Sequence, residues 1–578
     1  MKSKLRQNLN MNLHTTKTFC TGIALFLFVS AVFISSCKNA DPSKPEIVNT
    51  PEQMDKKVAE LISASVNTIS SYQFKLSDSA VLNQASFVQT IYGQKNNEPI
   101  WSNNENWLPL GDSLFNFIKN AKQWGLFPEN FHYKNLDTLR TLFLNDSLAK
   151  GEKRDARFWA NADILLTDAL VQIVTDIKLG RLQNDSVMKR TDSVLSKEFV
   201  LEKLNAVIES QSMDKVFSSL EPAHRKYHEL KAGIKNFLDS ASFKTYTQVP
   251  APGKNAQDYK KLLQQRLYEE EFISFDSTAA DSVQLAAAIK KFQRKQKITA
   301  DGKAGAETIR RLNSTDEEKF YCIAITLDRY KMLPDTMPEK YIWINLPSYQ
   351  LQFWVKDTLE VVSRIVVGKP HTRTPVLTSA VHEMITYPKW TIPNSIIVKD
   401  IIPAMKRNTD YLAKKGFSLF DKKGEEVDPA SVDWSKYSKG IPYNVVQGSG
   451  DANALGILKF NFRNKYQVYL HDTNERYLFS RDTRALSHGC VRVQEWSRLA
   501  YFFIANDSLS YKNNQKRIGS DSLTHWLITK EKHTIPLKKK IPVFIRYFSC
   551  EGKNGTIIFY DDIYGEDAML RKKYYSRK

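Results

Sequence analysis

The segment Ser487-His488-Gly489-Cys490-Val491-Arg492-Val493, with His471 sixteen positions ahead of its serine, holds the residues best suited to chemistry. A thiol attacks as the thiolate, so a nucleophilic cysteine needs a nearby group to take its proton and donors to receive an oxyanion. Cys490 is the candidate nucleophile and His471 the candidate base. The amides around Gly489 and Cys490 are candidate oxyanion donors. The plain alternative is a buried cysteine beside a core histidine. A zinc site is a third reading, since His471, His488 and Cys490 are all zinc-capable types. No His-Glu-x-x-His stretch is present, and neither a metal nor an organic cofactor is expected. Asp472 invites a Cys-His-Asp triad, but neighbours on an extended strand point to opposite faces, which argues against its side chain.

The elements that must hold these residues change character along the chain. Between residues 51 and 241 the pattern is helical: Ala162, Leu165, Leu166, Ala169, Ile173, Val174 and Ile177 recur at helical spacing, with Gly180 as a stop. Residues 111–125 form another such stretch. Residues 276–314 form a short unit in which a helix with Leu285, Ile289 and Phe292 leads through Asp301-Gly302 and Gly305 to a second helix with Ile309 and Leu312. From Tyr341 short alternating strands take over, as in Ile342-Trp343-Ile344-Asn345 and Gln350 to Val355. Between Trp390 and Gly450 lies an insertion too long for a hairpin loop, read as a lid over the site. The fold class expected is α+β and multidomain.

The phrase from His471 to Cys490 resembles the H-x(n)-S-H-G-C signature of L,D-transpeptidases with a YkuD-like catalytic domain. Residues 87–101 (FVQTIYGQKNNEPIW) and Leu165 to Ala169 through Gly180-Arg181 resemble the scaffold domain of the large YcbB-type subgroup. FQRKQKITADGKAGAETIRRLN resembles a small three-helix peptidoglycan-binding module. The strand phrases from Ile342 to Leu499 resemble the catalytic domain of the same subgroup. The division this implies is a signal peptide at 1–36, a tether at 37–55 and a helical scaffold at 56–245. The wall module follows at 276–314, then a catalytic domain at 341–550 with a capping insertion at about 395–450, and a tail at 551–578.

The resemblance also implies roles. Cys490 attacks the carbonyl of the third residue of a peptidoglycan tetrapeptide stem, D-alanine leaves, and a second stem supplies the acceptor amine, with carbapenems as covalent inhibitors. It gives the orienting of His471 to the main-chain carbonyl of Asp472, and the shaping of the oxyanion pocket to His488 and Gly489. Arg492 agrees with the large subgroup and is suited to gripping a stem-peptide carboxylate or to a structural ion pair. Trp390 and Tyr387 are candidates for an apolar wall along the donor peptide. Water in place of the amine would make the enzyme a carboxypeptidase or endopeptidase. An inert wall-binding lipoprotein is the reading from a different class.

The first residues read as a leader. Lys2, Lys4, Arg6 and Lys17 precede an apolar run from Gly22 to Ile34, which is short for a bilayer span. Ile34-Ser35-Ser36-Cys37 resembles the lipobox of bacterial lipoproteins, with Cys37 as the lipidated residue. An envelope protein held by a lipid anchor and facing the periplasm is therefore expected, and no later stretch approaches the length of a membrane span. Net charge is +20, four of it in the leader and the rest scattered. No basic run is interleaved with stacking aromatics, so nucleic acid is not an expected partner. Of five cysteines Cys20 belongs to the leader and Cys37 to the lipid, which leaves Cys322, Cys490 and Cys550, an odd number that suits one reserved thiol.

Overall fold

Alternation in the second half of the chain builds a nine-stranded mixed sheet: β1 (Lys340–Asn345), β2 (Gln350–Val355), β3 (Thr358–Gly368), β4 (Leu377–Thr386), β5 (Leu458–Phe462), β6 (Leu470–His471), β7 (Ala485–Ser487), β8 (Val491–Val493) and β9 (Thr534–Arg546). The order is β7-β3-β8-β6-β5-β4-β9-β1-β2, and β2 also pairs with β3. That last pairing closes eight strands into a ring with β7 hung on its outside. Ile342, Ile344, Leu351, Phe353, Val381, Met384, Phe460, Leu470, Val491 and Val493 fill the interior, with Leu499, Ala500 and Phe503 packed among them. In this computed structural model residues 45–68, 75–77, 80–144, 154–182, 194–250, 256–274, 282–296, 298–508 and 518–575 are described. Cys37 and the leader lie outside them. From Ile47 onward the described residues belong to one compact unit.

The first half is helical, centred on Ala156–Lys178, whose Trp159, Ile164, Leu166, Leu170 and Ile173 are buried on several sides. Asp155 caps it by accepting the Arg157 N–H. Among its buried acids, Asp163 is satisfied by Tyr92 Oη at 2.6 Å and by the Ile100 and Trp101 N–H groups at 2.9 Å. Burial still pushes that carboxyl up to about 6.

The wall-module region has three helices, Ala256–Glu269, Ser282–Lys295 and Ala306–Asn313. The first starts before the boundary of 276 read from sequence. It supplies Leu263 and Leu267 to a core shared with Ile289, Phe292, Ile309 and Leu312. The Gln293 side chain pins the turn, donating to Asp301 Oδ1 and Thr308 Oγ1 and accepting the Gly302 N–H.

Helix Asp316–Lys331 leads from there to β1 and is fastened to the scaffold by its own Asp328. That carboxylate accepts the Arg181 N–H at 2.7 Å, the Lys331 ammonium at 2.9 Å and the Tyr575 hydroxyl at 2.5 Å. Gly180, at φ +70°, leaves the room that Asp328 needs; a Cβ there would lie 2.5 Å from Oδ1.

Residues 551–578 were expected to be a tail, and the described part is folded. Cys550–Lys553 and Thr556–Phe559 form a hairpin against helix Arg225–Ser240, and Glu566–Leu570 follows. The hairpin's Ile557 and Phe559 join Leu230, Ile234 and Phe320 in one apolar cluster. Cys322 and Cys550 meet there as free thiols, Cys550 Sγ lying 3.7 Å from the Cys322 carbonyl oxygen. Contacts of this kind join segments hundreds of residues apart and leave no periodicity in sequence.

Gly552 sits where the hairpin crosses the helix, and a Cβ there would lie 2.1 Å from the Glu229 carbonyl carbon. Gly552→Val is expected to cost about 3 kcal/mol in urea unfolding, as overpacking against a main chain does. Gly93→Ala, with nothing within 4 Å of the new Cβ, should leave stability within about 1 kcal/mol. Equal curves for the two variants would contradict the packed hairpin.

Candidate active site

Parallel pairing of β6 with β8 sets Leu470 beside Val491 and His471 beside Arg492. Residues paired in this way share a face, and the period of two puts Tyr469 and Cys490 on the same side as His471 and Arg492. Leu470, Val491 and Val493 take the other side and enter the barrel core. Antiparallel pairing of β5 with β6 then adds Lys459 opposite His471. Five side chains converge on one face: Lys459, Tyr469, His471, Cys490 and Arg492.

The nucleophile turn is held by its own serine. Ser487 Oγ donates to the Cys490 carbonyl at 2.6 Å and accepts the Gly489 N–H at 3.1 Å. Gly489 has φ +124°, a conformation that favours glycine. Behind the turn, Thr374 Oγ1 donates to the Gly489 carbonyl at 2.8 Å and accepts the Gly368 N–H. Tyr564, from the segment expected to be a tail, donates to the Gly368 carbonyl at 2.7 Å and accepts the Thr374 N–H. The Gly489 amide, a candidate oxyanion donor from sequence, is thus engaged within the turn. Among the described residues the Cys490 N–H meets no acceptor, which leaves it as the amide open to an oxyanion.

His471 is buried. Burial first, and the Arg492 charge second, lower its ring to about 3, while the main chains of Asp472 and Leu455 act in the opposite sense. Its Nδ1 makes no hydrogen bond of ordinary length, so the expected orienting bond to the Asp472 carbonyl is not formed at that length from this nitrogen. The Asp472 carboxylate turns to other work, accepting the Ile457 N–H at 3.2 Å and Arg476 Nη1 at 2.8 Å. Gly456 permits that approach, since a Cβ there would lie 2.3 Å from Asp472 Oδ2.

Burial pushes the Cys490 thiol up, and the main chain and hydroxyl of Tyr469, the Lys459 ammonium and Arg492 pull it back down. Tyr469 and His471 stack edge to face with centroids 5.7 Å apart. Lys459 Nζ lies 3.9 Å from the Tyr469 ring centroid. Neither Lys459 nor Tyr469 stood out in sequence. The only signal was their even spacing from His471 across the two strands, which needs the register to be read.

The insertion folds as a small body of its own. Phe417–Phe420, Glu426–Val427, Asn444–Gln447 and Trp390–Thr391 form a four-stranded sheet over a core of Ile392, Ile397, Ile401, Ile402, Met405, Leu412, Leu419, Trp434 and Val445. Trp390 packs in this body against Phe417, 6.2 Å between centroids. A cleft of about 920 Å³ runs between insertion and barrel, lined in part by Trp390, Asp400, Arg407, Lys415, His488 and Arg492. Cys490 and His471 are not among its lining residues; His488 and Arg492 form its floor beside them.

Long-range contacts change three of the expected roles. His488 Nε2 pairs with Asp400 Oδ2 of the insertion at 2.7 Å, so it ties the cap to the nucleophile turn. Arg492 Nη1 pairs with Glu475 Oε2 at 2.5 Å, the structural ion pair and not a free carboxylate fork. Tyr387 is buried away from the cleft, with its hydroxyl shared between Asp451 Oδ1 and the Leu527 carbonyl, both at 3.2 Å. A wall for the donor peptide therefore rests on Trp390 alone of the two aromatics. Among the described residues no group of three or more His, Cys, Asp or Glu side chains could hold a metal ion.

Comparison with known proteins gives three family models in order along the chain. They are a Scaffold domain over residues 86–234, a "Putative peptidoglycan binding domain" over 258–312 and an L,D-transpeptidase catalytic domain over 339–505. The chain is similar to a "Putative L,D-transpeptidase" of Haemophilus influenzae, 35% identical over 248 residues, which cover 43% of this chain and 48% of that protein. It thus spans about half the length of that relative. Among solved structures, an L,D-transpeptidase from Mycobacterium smegmatis aligns at 12% identity over 36% of this chain and 58% of that one, with a TM-score of 0.18. The Ldtfm–avibactam carbamoyl enzyme aligns at 11% identity over 48% and 86%, with a TM-score of 0.15. In domain content and order the chain is similar to multidomain L,D-transpeptidases.

The His471 ring titrates near 6.5 when unfolded and near 3 when folded. Between those values the unfolded chain binds the extra proton, so stability is full above about pH 6.5 and falls as the pH drops toward 3. Urea unfolding at pH 7.0, 5.5 and 4.5 is expected to show a shallower decline in His471→Gln than in the native protein. The difference should reach about 1.4 kcal/mol per pH unit. Parallel declines in the two proteins would place the ring in a different protonation state.

Proposed function

We propose that this protein is a peptidoglycan L,D-transpeptidase that works through a cysteinyl acyl-enzyme and forms third-to-third cross-links between stem peptides. The observation that carries the reading is the parallel β6–β8 register, which sets a thiol, a neutral imidazole and an unengaged amide on one face beside the floor of a cleft. Six basic side chains, Lys369, Lys399, Arg407, Lys414, Lys415 and Arg492, line that cleft against two acidic ones, Asp400 and Glu475, which suits a peptide rich in carboxylates.

In this mechanism the Cys490 sulfur attacks the carbonyl carbon of the third stem residue as its proton passes to His471. The Cys490 N–H, with the Tyr469 hydroxyl beside the sulfur, receives the oxyanion. The tetrahedral species collapses, the carbon–nitrogen bond to D-alanine breaks, and His471 returns the proton to the leaving amine. A side-chain amine of a second stem then attacks the thioester, gives its proton to His471 and restores the thiol. Because the buried imidazole is a weak base, the proton moves in concert with attack rather than ahead of it. The insertion, closed onto His488 through Asp400, excludes water and so favours the amine over hydrolysis. No step requires a cofactor. Cys37 is the proposed lipidation site, holding the catalytic body at a membrane of the envelope; the three-helix module is assigned to wall contact.

Cys490→Ala is expected to abolish turnover of disaccharide-tetrapeptide and to remove the covalent mass adduct formed by a carbapenem. With native protein, liquid chromatography and mass spectrometry should resolve third-to-third dimers in excess over free tripeptide. Tripeptide alone at high acceptor concentration would make the enzyme a hydrolase, and no product at all with an intact fold would make it an inert wall-binding protein. For the anchor, Cys37→Ser should abolish incorporation of radiolabelled palmitate and release the protein from the membrane fraction. A native protein that takes up no label would contradict the lipidation of Cys37.

A further inference from the structure

Lys459 stands on β5, partly buried, with no carboxylate within 4 Å among the described residues. Its cross-strand neighbours are Ile385 on β4 and His471 on β6. The nearby acid Glu383 is taken up by the Asn461 side chain at 2.6 Å and lies near His382. Burial lowers the Lys459 ammonium, and Cys490 and then Glu383 hold it up. A buried cation without a partner is costly, and such groups survive where an opposite charge arises during function.

We propose that Lys459 is the positioning cation for the Cys490 thiolate, seated across the Tyr469 ring so that its charge is matched when the sulfur loses its proton. The assignment rests on the reading of Cys490 as nucleophile. The thiol proton goes to His471, and Lys459 keeps its own throughout, so the sulfur gains a counter-charge with no change in the proton count.

The other charges around Cys490 are already spent or absent. Arg492 is paired with Glu475 at 2.5 Å, and His488 is paired with Asp400 at 2.7 Å. His471 is neutral at working pH because burial lowers it to about 3. Lys459 alone of these groups lies on the face shared with Cys490 without a carboxylate partner among the described residues. Its seat is specific: the ammonium lies 3.9 Å from the Tyr469 centroid, and the hydroxyl of that same ring acts on Cys490. Tyr469 thus carries the seat for the cation on the same face as the sulfur.

The test is the pH profile of Cys490 alkylation by iodoacetamide in the full chain, followed by mass spectrometry of the Cys490 peptide from about pH 6 to 10, a range that brackets an ordinary thiol. Lys459→Met is expected to raise the midpoint by about one unit and to slow alkylation about tenfold at pH 7.5. Lys459→Arg should keep the native profile, because the charge is retained. Lys459→Gln, a polar replacement, serves as the second neutral variant should the methionine protein unfold. An unshifted midpoint in a folded neutral variant would overturn the proposal. So would a raised KM for stem peptide with an unchanged profile, which would make Lys459 a carboxylate grip. Reaction of native protein with meropenem tests the nucleophile reading separately. A shifted alkylation profile beside a native enzyme inert to meropenem would sink that reading and leave Lys459 acting on the thiol.

Discussion

Two residues of parallel pairing between β6 and β8 determine the sidedness of everything that follows. Leu470 against Val491 and His471 against Arg492 fix which side chains enter the barrel and which gather on the face of Cys490. A slip of one residue would send His471 into the apolar interior and Leu470 onto the reactive face. The apolar filling of the ring forbids that slip, because Leu470, Val491 and Val493 are fully buried there. The core therefore acts as the register device for the chemistry. The same period of two recruits Tyr469 and, through β5, Lys459.

Burial is the second constraint, and it works against charge. It raises the Cys490 thiol and lowers His471, so the resting pair is a neutral thiol beside a neutral imidazole. A thiol held neutral in this way is a weak nucleophile at rest. In the proposed mechanism, preorganised groups receive the charge as it forms: the Cys490 N–H, the Tyr469 hydroxyl and the Lys459 ammonium. The Asp400–His488 contact links the cap to this arrangement through side chains that are more than a third exposed on both sides. Contacts so exposed contribute little to stability, which leaves the cap free to open.

The chemistry was legible in sequence because it lies in one short run. The Ser487 to Val493 motif and the upstream His471 sit within 23 residues, and strand alternation alone sets the Asp472 carboxylate on the far face from His471. Helical and strand halves were legible from their periods, and the three-helix module from the resemblance of its phrase, with glycines that fit its turns. What escaped was long range. The Glu475 partner of Arg492, the Asp400 partner of His488 and the seat of Tyr564 behind the turn each depend on contacts that no local pattern encodes. Tyr387 has the residue type of a binding aromatic beside Trp390, yet its hydroxyl is committed to Asp451 and Leu527. The helix Ala256–Glu269 escaped because a polar face and short apolar spacing hide it until Leu263 and Leu267 meet the module core.

The neutral resting pair is the most exposed point of the mechanism, and nitrogen-15 resonances of the His471 ring read it directly. With histidine-labelled full-length protein followed from about pH 5 to 8, across the ordinary histidine range, the two ring nitrogens should keep the widely separated shifts of a neutral imidazole throughout. Cys490→Ala should leave them neutral as well. A ring that titrates near its ordinary value of about 6.5, or that is an imidazolium at neutral pH and loses its charge in Cys490→Ala, would contradict the neutral pair and put a preformed thiolate–imidazolium in its place.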